Sequence, residues 1–123
     1  MQLRSGVDLV EIERLQEAIG RHGERFLQRI FTQQELAEVR HNPSSLAGRF
    51  AAKEAVSKAL GCGIGVVGWH DIEVLRGPLR EPVLHLHGAA QERAAQLGVI
   101  SWTISLSHTH QHAIAMVVAA GKD

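Results

Sequence analysis

Between Gly48 and Gly65 the chain reads GRFAAKEAVSKALGCGIG, a helical stretch that ends in a run of glycines. A helix turns about 100° per residue, which sets Ala51, Ala52, Ala55, Val56, Ala59 and Leu60 on one half of the cylinder and gathers Lys53, Glu54, Ser57 and Lys58 on the other. The first half has to be covered by another element, and the second is a concentrated polar face. Ser44 or Ser45 is placed to cap this helix, which is expected to run to Leu60 and stop at Gly61.

The elements around it follow from periodicity. Leu3 to Val10 reads as a strand that carries Asp8 near its end, and a helix is expected from about Glu11 to Ile19. Gly20 and Gly23 bracket a break, after which Glu24 to Phe31 resumes the helical pattern. Thr32 followed three residues later by Glu35 is a capping box, so Gln33 to Arg40 starts a new short helix. Beyond the glycines, 71-DIEVL-75 and 82-PVLHLH-87 alternate on either side of Gly77 and Pro78, the pattern of a hairpin. Ala89 to Leu97 reads as a helix ending at Gly98.

In 100-ISWTISLS-107, Ile100, Trp102, Ile104 and Leu106 share one face and the serines and threonine the other. After a polar turn at His108 to His112, Ala113 to Ala119 is expected as a strand buried on both sides. Helices early and strands late predict an α+β fold, an antiparallel sheet packed with helices.

At 123 residues the chain has room for one domain with a core and not for two of ordinary size, so residues 1–123 are expected to form one domain. Thirteen basic residues balance thirteen acidic ones, which argues against nucleic acid as a partner, since that would call for a basic excess. The longest apolar run, 113-AIAMVVAA-120, is far short of a membrane span, and the N-terminus lacks the pattern of a signal peptide. One cysteine, Cys62, excludes an internal disulfide and fits a reducing, cytoplasmic location.

Four features carry candidate chemistry. Glu54 and Lys58, at i and i+4, are by themselves an ordinary surface pair; beside Lys53, Ser57 and the glycines they suit a site holding a divalent cation next to phosphate oxygens. Asp8 is either a second carboxylate for that cation or an acceptor for a helix N-terminus. Magnesium takes one or two protein carboxylates and fills the rest of its shell with water and phosphate, a number Asp8 and Glu54 would supply. The histidines His108, His110 and His112, with His85 and His87, leave open a zinc site, or a phosphate contact from His108 beside Thr109. Arg14, Arg21, Arg25 and Arg29 form either a solvated face or a docking surface for an acidic protein.

In order along the chain, 6-GVDLVEIERL-15, 26-FLQRIFTQQEL-36, 47-AGRFAAKEAVSKALGCGIG-65, 71-DIEVL-75 and 105-SLSHTHQHAIA-115 together resemble the bacterial holo-[acyl-carrier-protein] synthases of the 4'-phosphopantetheinyl transferase family. The resemblance implies an enzyme of fatty acid biosynthesis. Its reaction would move the phosphopantetheine arm of coenzyme A onto a serine of apo acyl carrier protein and release adenosine 3',5'-bisphosphate. It implies magnesium on Asp8 and Glu54, with Lys58 neutralising the coenzyme's phosphates and Ser57 beside it. It implies a homotrimer with active sites between protomers, in which Arg49, His108 and Thr109 are coenzyme-binding elements lent by a neighbour. Arg14, Arg21 and Arg25 match its docking surface for the acidic carrier protein. The chain departs from the family at Cys62, where threonine is common, and in the turn 77-GPLREP-82, an arginine version of a glycine-lysine-proline turn; both bear on contacts to the outer parts of the coenzyme.

Overall fold

The computed structural model describes residues 1–123 and is α+β with antiparallel pairing throughout. The element order is β1 (Gln2–Glu11), α1 (Ile12–Ile30), α2 (Gln33–Val39), α3 (Pro43–Ala59), β2 (Ile72–Arg76), β3 (Pro82–Leu86), α4 (Gly88–Gln96), β4 (Val99–His108) and β5 (His112–Gly121). A three-stranded sheet has the order β1-β5-β4, and β2 and β3 form a separate hairpin. No helix is long and apolar enough to cross a membrane.

The helix α3 is the spine of the molecule. Its N-cap is Asn42, whose side chain accepts from the Ser45 backbone N–H at 3.1 Å, and Pro43 opens the first turn where its missing N–H costs nothing. The cap therefore sits two or three residues before the expected Ser44 or Ser45. At the other end Gly61 takes φ 71°, the left-handed conformation that stops the helix as expected. The predicted division into an apolar half and a polar half does not hold. Lys53 and Ser57 are fully buried along with the alanines, because α3 has the sheet on one side and α1, α2 and β2 on the other. Between Phe50 and Ala59 only Phe50, Glu54 and Lys58 escape burial, one residue per turn.

Burying Lys53 requires a partner, and Glu35 provides it. The Lys53 ammonium lies 2.8 Å from Glu35 Oε1 and donates to the backbone carbonyls of Trp69 and Ile72. Burial draws the Lys53 pKa below its usual value, against the pull of the Glu35 carboxylate. Glu35 also closes the expected capping box with Thr32 and accepts the Val74 N–H at 2.9 Å. One carboxylate thus ties α2, α3 and β2 together.

The range given for α1 holds two helical stretches on either side of the expected break, which falls at Gly23 (φ 63°, ψ −144°), while Gly20 stays helical. Two strand expectations are corrected. β5 buries Ala113, Ala115, Val117 and Ala119 against α3, but its other face is open, with Ile114 and Met116 exposed. Ile100 is exposed although Trp102, Ile104 and Leu106 are half-buried, because an irregularity between Val99 and Ser101 breaks the register there.

Candidate active site

Strand β1 and helix α3 bring the first cluster together. Gly6 lies against α3 so closely that a Cβ would overlap the Ala55 carbonyl oxygen. Asp8, two residues on and on the same face of the strand, therefore meets the exposed strip of the helix. Lys58 Nζ lies 3.1 Å from Asp8 Oδ1 and donates to the Val7 carbonyl at 3.0 Å. Asp8 and Glu54 line one groove of about 470 Å³ with Glu11, Arg14, Phe26 and Phe50 among its walls. Burial holds the Glu54 carboxyl above its usual pKa, the negative charge of Asp8 adds to the rise, and Lys58 opposes it.

Two carboxylates facing one groove with a single ammonium between them leave negative charge in excess, which a divalent cation would relieve. That donor set fits magnesium, whose remaining positions go to water and substrate oxygens. It does not fit zinc, which needs three or four protein ligands: no three His, Cys, Asp or Glu side chains converge anywhere in the chain, the histidines at 108, 110 and 112 included.

Ser57 is not in this groove. It is fully buried and its hydroxyl donates to the Glu54 carbonyl at 2.7 Å, so it braces the turn of α3 that carries Glu54 instead of facing a ligand. Lys53, also expected on the polar face, faces inward to Glu35.

Arg49 and His108 lie together in a second cavity that shares no lining residue with the first. Arg49 is 5% exposed and is oriented by Glu38, its Nη2 donating to Glu38 Oε1 at 2.7 Å. Thr109 sits in the adjoining turn, where its Oγ1 accepts the N–H groups of Gln111 and His112 and keeps its own proton to donate. Sequence reasoning missed Glu38 and Arg76, which belong to the same neighbourhood as Arg80, the arginine already noted in 77-GPLREP-82.

The arginines of α1 are all exposed, but they do not share one continuous helix face. The bend at Gly23 separates Arg14 and Arg21 from Arg25 and Arg29, which line a basic groove with His22 and Phe26. Phe26 also lines the groove of Asp8 and Glu54, so the two grooves adjoin.

A sequence model of the 4'-phosphopantetheinyl transferase superfamily matches residues 4–117. The chain is 47% identical to a holo-[acyl-carrier-protein] synthase of Herpetosiphon aurantiacus, covering 97% of this chain and 99% of that protein. It is 49% identical to one of Moorella thermoacetica, with 94% and 92% covered. Among solved structures it is similar to holo-[acyl-carrier-protein] synthase of Helicobacter pylori in complex with coenzyme A, at TM-score 0.86 and 35% identity over 94% of this chain and 99% of that one. The Bacillus anthracis synthase in complex with CoA (3',5'-ADP) aligns at TM-score 0.79 and 32% identity over 97% and 96%.

Proposed function

This chain belongs to the 4'-phosphopantetheinyl transferase superfamily, and on that premise we propose how its residues carry the reaction. The activity is that of a holo-[acyl-carrier-protein] synthase: transfer of the 4'-phosphopantetheine arm of coenzyme A to a serine of apo acyl carrier protein, in fatty acid biosynthesis. The observation that carries the residue assignment is the meeting of Asp8 and Glu54 at one groove, with Lys58 bonded to Asp8.

In the transfer, the serine oxygen forms a bond to the pantetheine-side phosphorus as the bridging bond of the diphosphate breaks, and adenosine 3',5'-bisphosphate leaves. Asp8 and Glu54 would hold magnesium, which would supply positive charge beside the diphosphate oxygens when bound. Lys58, pinned by Asp8 and the Val7 carbonyl, adds a fixed positive charge beside them that needs no reorganisation as the reaction proceeds. Glu54 takes the serine proton, directly or through a water, as the carboxylate nearest the attacking hydroxyl. Arg14, Arg21 and Arg25 dock the acidic carrier, and the groove adjoining Phe26 leads from that surface to the carboxylates.

The same proposal includes a homotrimer of one-domain chains in the cytoplasm. The outer face of the β1-β5-β4 sheet supports association: Leu3, Val7 and Leu9 of β1 and Ile114 and Met116 of β5 lie exposed on one side. A face of that kind on an open sheet calls for a cover. In the trimer, Arg49, His108 and Thr109 of one protomer complete the coenzyme site around Asp8 and Glu54 of the next. The lone, half-buried Cys62 is consistent with a reducing compartment.

The test is a mass spectrum of apo carrier protein after incubation with the chain, coenzyme A and magnesium. A gain of about 340 Da, estimated from the composition of the arm and abolished by EDTA, is expected. An unmodified carrier under all metals tried would overturn the assignment. Glu54→Gln separates the two carboxylate roles: retained metal and coenzyme binding without turnover identifies the base, whereas loss of both leaves Glu54 a ligand alone.

A further inference from the structure

The two stretches of α1 meet at Gly23, whose φ of 63° and ψ of −144° lie in a region of backbone space that only glycine enters freely. A Cβ added there would meet nothing within 4 Å. An L side chain at this position is therefore opposed by the backbone alone, since no neighbouring group needs the space.

Each stretch is held by its own contacts. Before the break, Ile12 and Leu15 are buried and the Ile12 N–H donates to the Gln111 carbonyl at 2.9 Å. After it, Leu27 and Ile30 are buried, Arg40 pairs with Glu24 at 2.6 Å, and the Gln28 carbonyl meets His70 Nε2 at 2.7 Å. Gly23 has to join two stretches whose directions the rest of the fold sets.

The break decides where the basic side chains go. In an unbroken helix Arg14, Arg21, Arg25 and Arg29 would fall within an arc of about 80°, one straight stripe, and Phe26 would lie about 16 Å along the axis from Leu15. In the molecule Leu15 and Phe26 line the same groove as Asp8 and Glu54, with Arg14 on its wall, while Arg25 and Arg29 line the second groove, to which Phe26 also belongs. No carboxylate pairs with Arg21, Arg25 or Arg29. These free cations are offered to a partner around a corner.

We propose that Gly23 is a positioning residue: its break sets Arg25 and Arg29 apart from Arg14, so that an acidic protein bound across both grooves presents its serine to Asp8 and Glu54. A straight stripe would attract the same charges but hold them along a line. The partner's identity as the carrier rests on the transferase reading; the corner rests on Gly23 and the two grooves.

The test uses the full chain with Gly23 replaced by L-alanine or by D-alanine, the latter made by ligating a synthetic segment 1–61 to residues 62–123 at the Gly61–Cys62 bond. A D-residue has mirror-image preferences, and the Gly23 conformation mirrors the polyproline-like one that L-residues adopt freely, so D-alanine adds the same methyl group without strain. One strained residue costs less than the stability of a domain, so the L-alanine chain should melt at a lower temperature and still be folded in an assay run below both transitions.

With apo carrier protein as substrate, the L-alanine chain should lose about tenfold or more in carrier kcat/KM, because small misplacements of reacting groups are costly. The D-alanine chain should match wild type, and all three should bind coenzyme A equally in calorimetric titration. Gly20→Ala, the same change inside the helix, should leave carrier kinetics unchanged. A purely structural role would not couple Gly23 to one arginine: Arg25→Gln should lower kcat/KM in the wild-type and D-alanine chains and add little in the L-alanine chain. Wild-type carrier kinetics in the L-alanine chain, a D-alanine chain as impaired as the L-alanine one, equal effects of Arg25→Gln in both backgrounds, or an L-alanine chain that does not fold would overturn the proposal. A wild type that binds the carrier but transfers nothing would sink the transferase reading, and the corner would then be read from the carrier Kd of the same three chains.

Discussion

The backbone of Gly6 packs directly on the carbonyl of Ala55, at a separation that leaves no room for even a methyl group. This one contact sets how near β1 comes to α3. Asp8 reaches Lys58 across fifty residues of chain because of it.

Gly6→Ala should push the strand and helix apart. A loss of about 1–3 kcal/mol in unfolding free energy is expected from overpacking, and transfer should fall further than stability explains, since Asp8 and Lys58 separate. Chemical denaturation beside a transfer assay checks this; unchanged values in both would remove the contact from the account.

Lys53→Met strips Glu35 of its buried counter-charge. Removing one member of a buried pair costs about 3–5 kcal/mol, so the variant should unfold at clearly lower urea concentration. Adding Glu35→Leu should recover only part of the loss, because Glu35 also holds the N–H groups of Thr32 and Val74. A single variant as stable as wild type would show that the pair contributes nothing.

Glu73 predicts an acid-side pH dependence. Burial pushes its carboxyl up, but the Thr32 hydroxyl at 2.6 Å and the His87 imidazole outweigh that and leave its pKa lowered. A depressed native pKa contributes stability that is present above the unfolded value, about 4.3, and disappears as pH falls through the native one. Wild type should therefore lose more stability than Glu73→Gln as pH drops from about 5 through that window. Parallel melting curves for the two proteins would contradict the assignment.

Val7→Glu or Met116→Glu places a charge on the open sheet face. Sedimentation should show a shift from trimer to monomer, with transfer lost if the site needs residues from two protomers. A trimer that survives both substitutions would place the interface elsewhere.

Charge reversal on α1 should act on the carrier and not on the coenzyme. Arg25→Glu is expected to raise the carrier KM more than Arg21→Glu, because Arg25 lines the groove that adjoins the carboxylates, and to weaken its salt dependence. Steady-state kinetics at two ionic strengths would show it; an unchanged carrier KM would discard the docking surface.

Much of this architecture was legible because it is local. Thr32 and Glu35 are three residues apart, and their capping box is present. Gly61 stops α3, and the strand at 100–107 follows its alternation except at the irregularity beside Ile100. What escaped depends on partners distant in sequence. Lys53 counts as polar in any helical projection until Glu35, eighteen residues earlier, is known to receive it. Apolar residues on both faces of β5 looked like two-sided burial, yet an exposed apolar face has the same composition as a covered one. That Asp8 and Glu54 could share a site came from magnesium chemistry and family likeness, but the bond of Asp8 to Lys58 escaped, since nothing near either residue announces the other; the arginine cavity assembles from four separate segments, and Ser57 was misplaced by the same projection that misplaced Lys53.

Enclosure of α3 on nearly every side has a consequence for how such an enzyme can change. A helix that shows the outside one residue per turn offers almost no position where a substitution is free, so the reacting centre is frozen together with the core. The β2–β3 turn is the opposite: Pro78, Leu79 and Arg80 are exposed and support nothing beneath them. Change in this chain is therefore free to collect in that turn, where no core residue has to move to accommodate it.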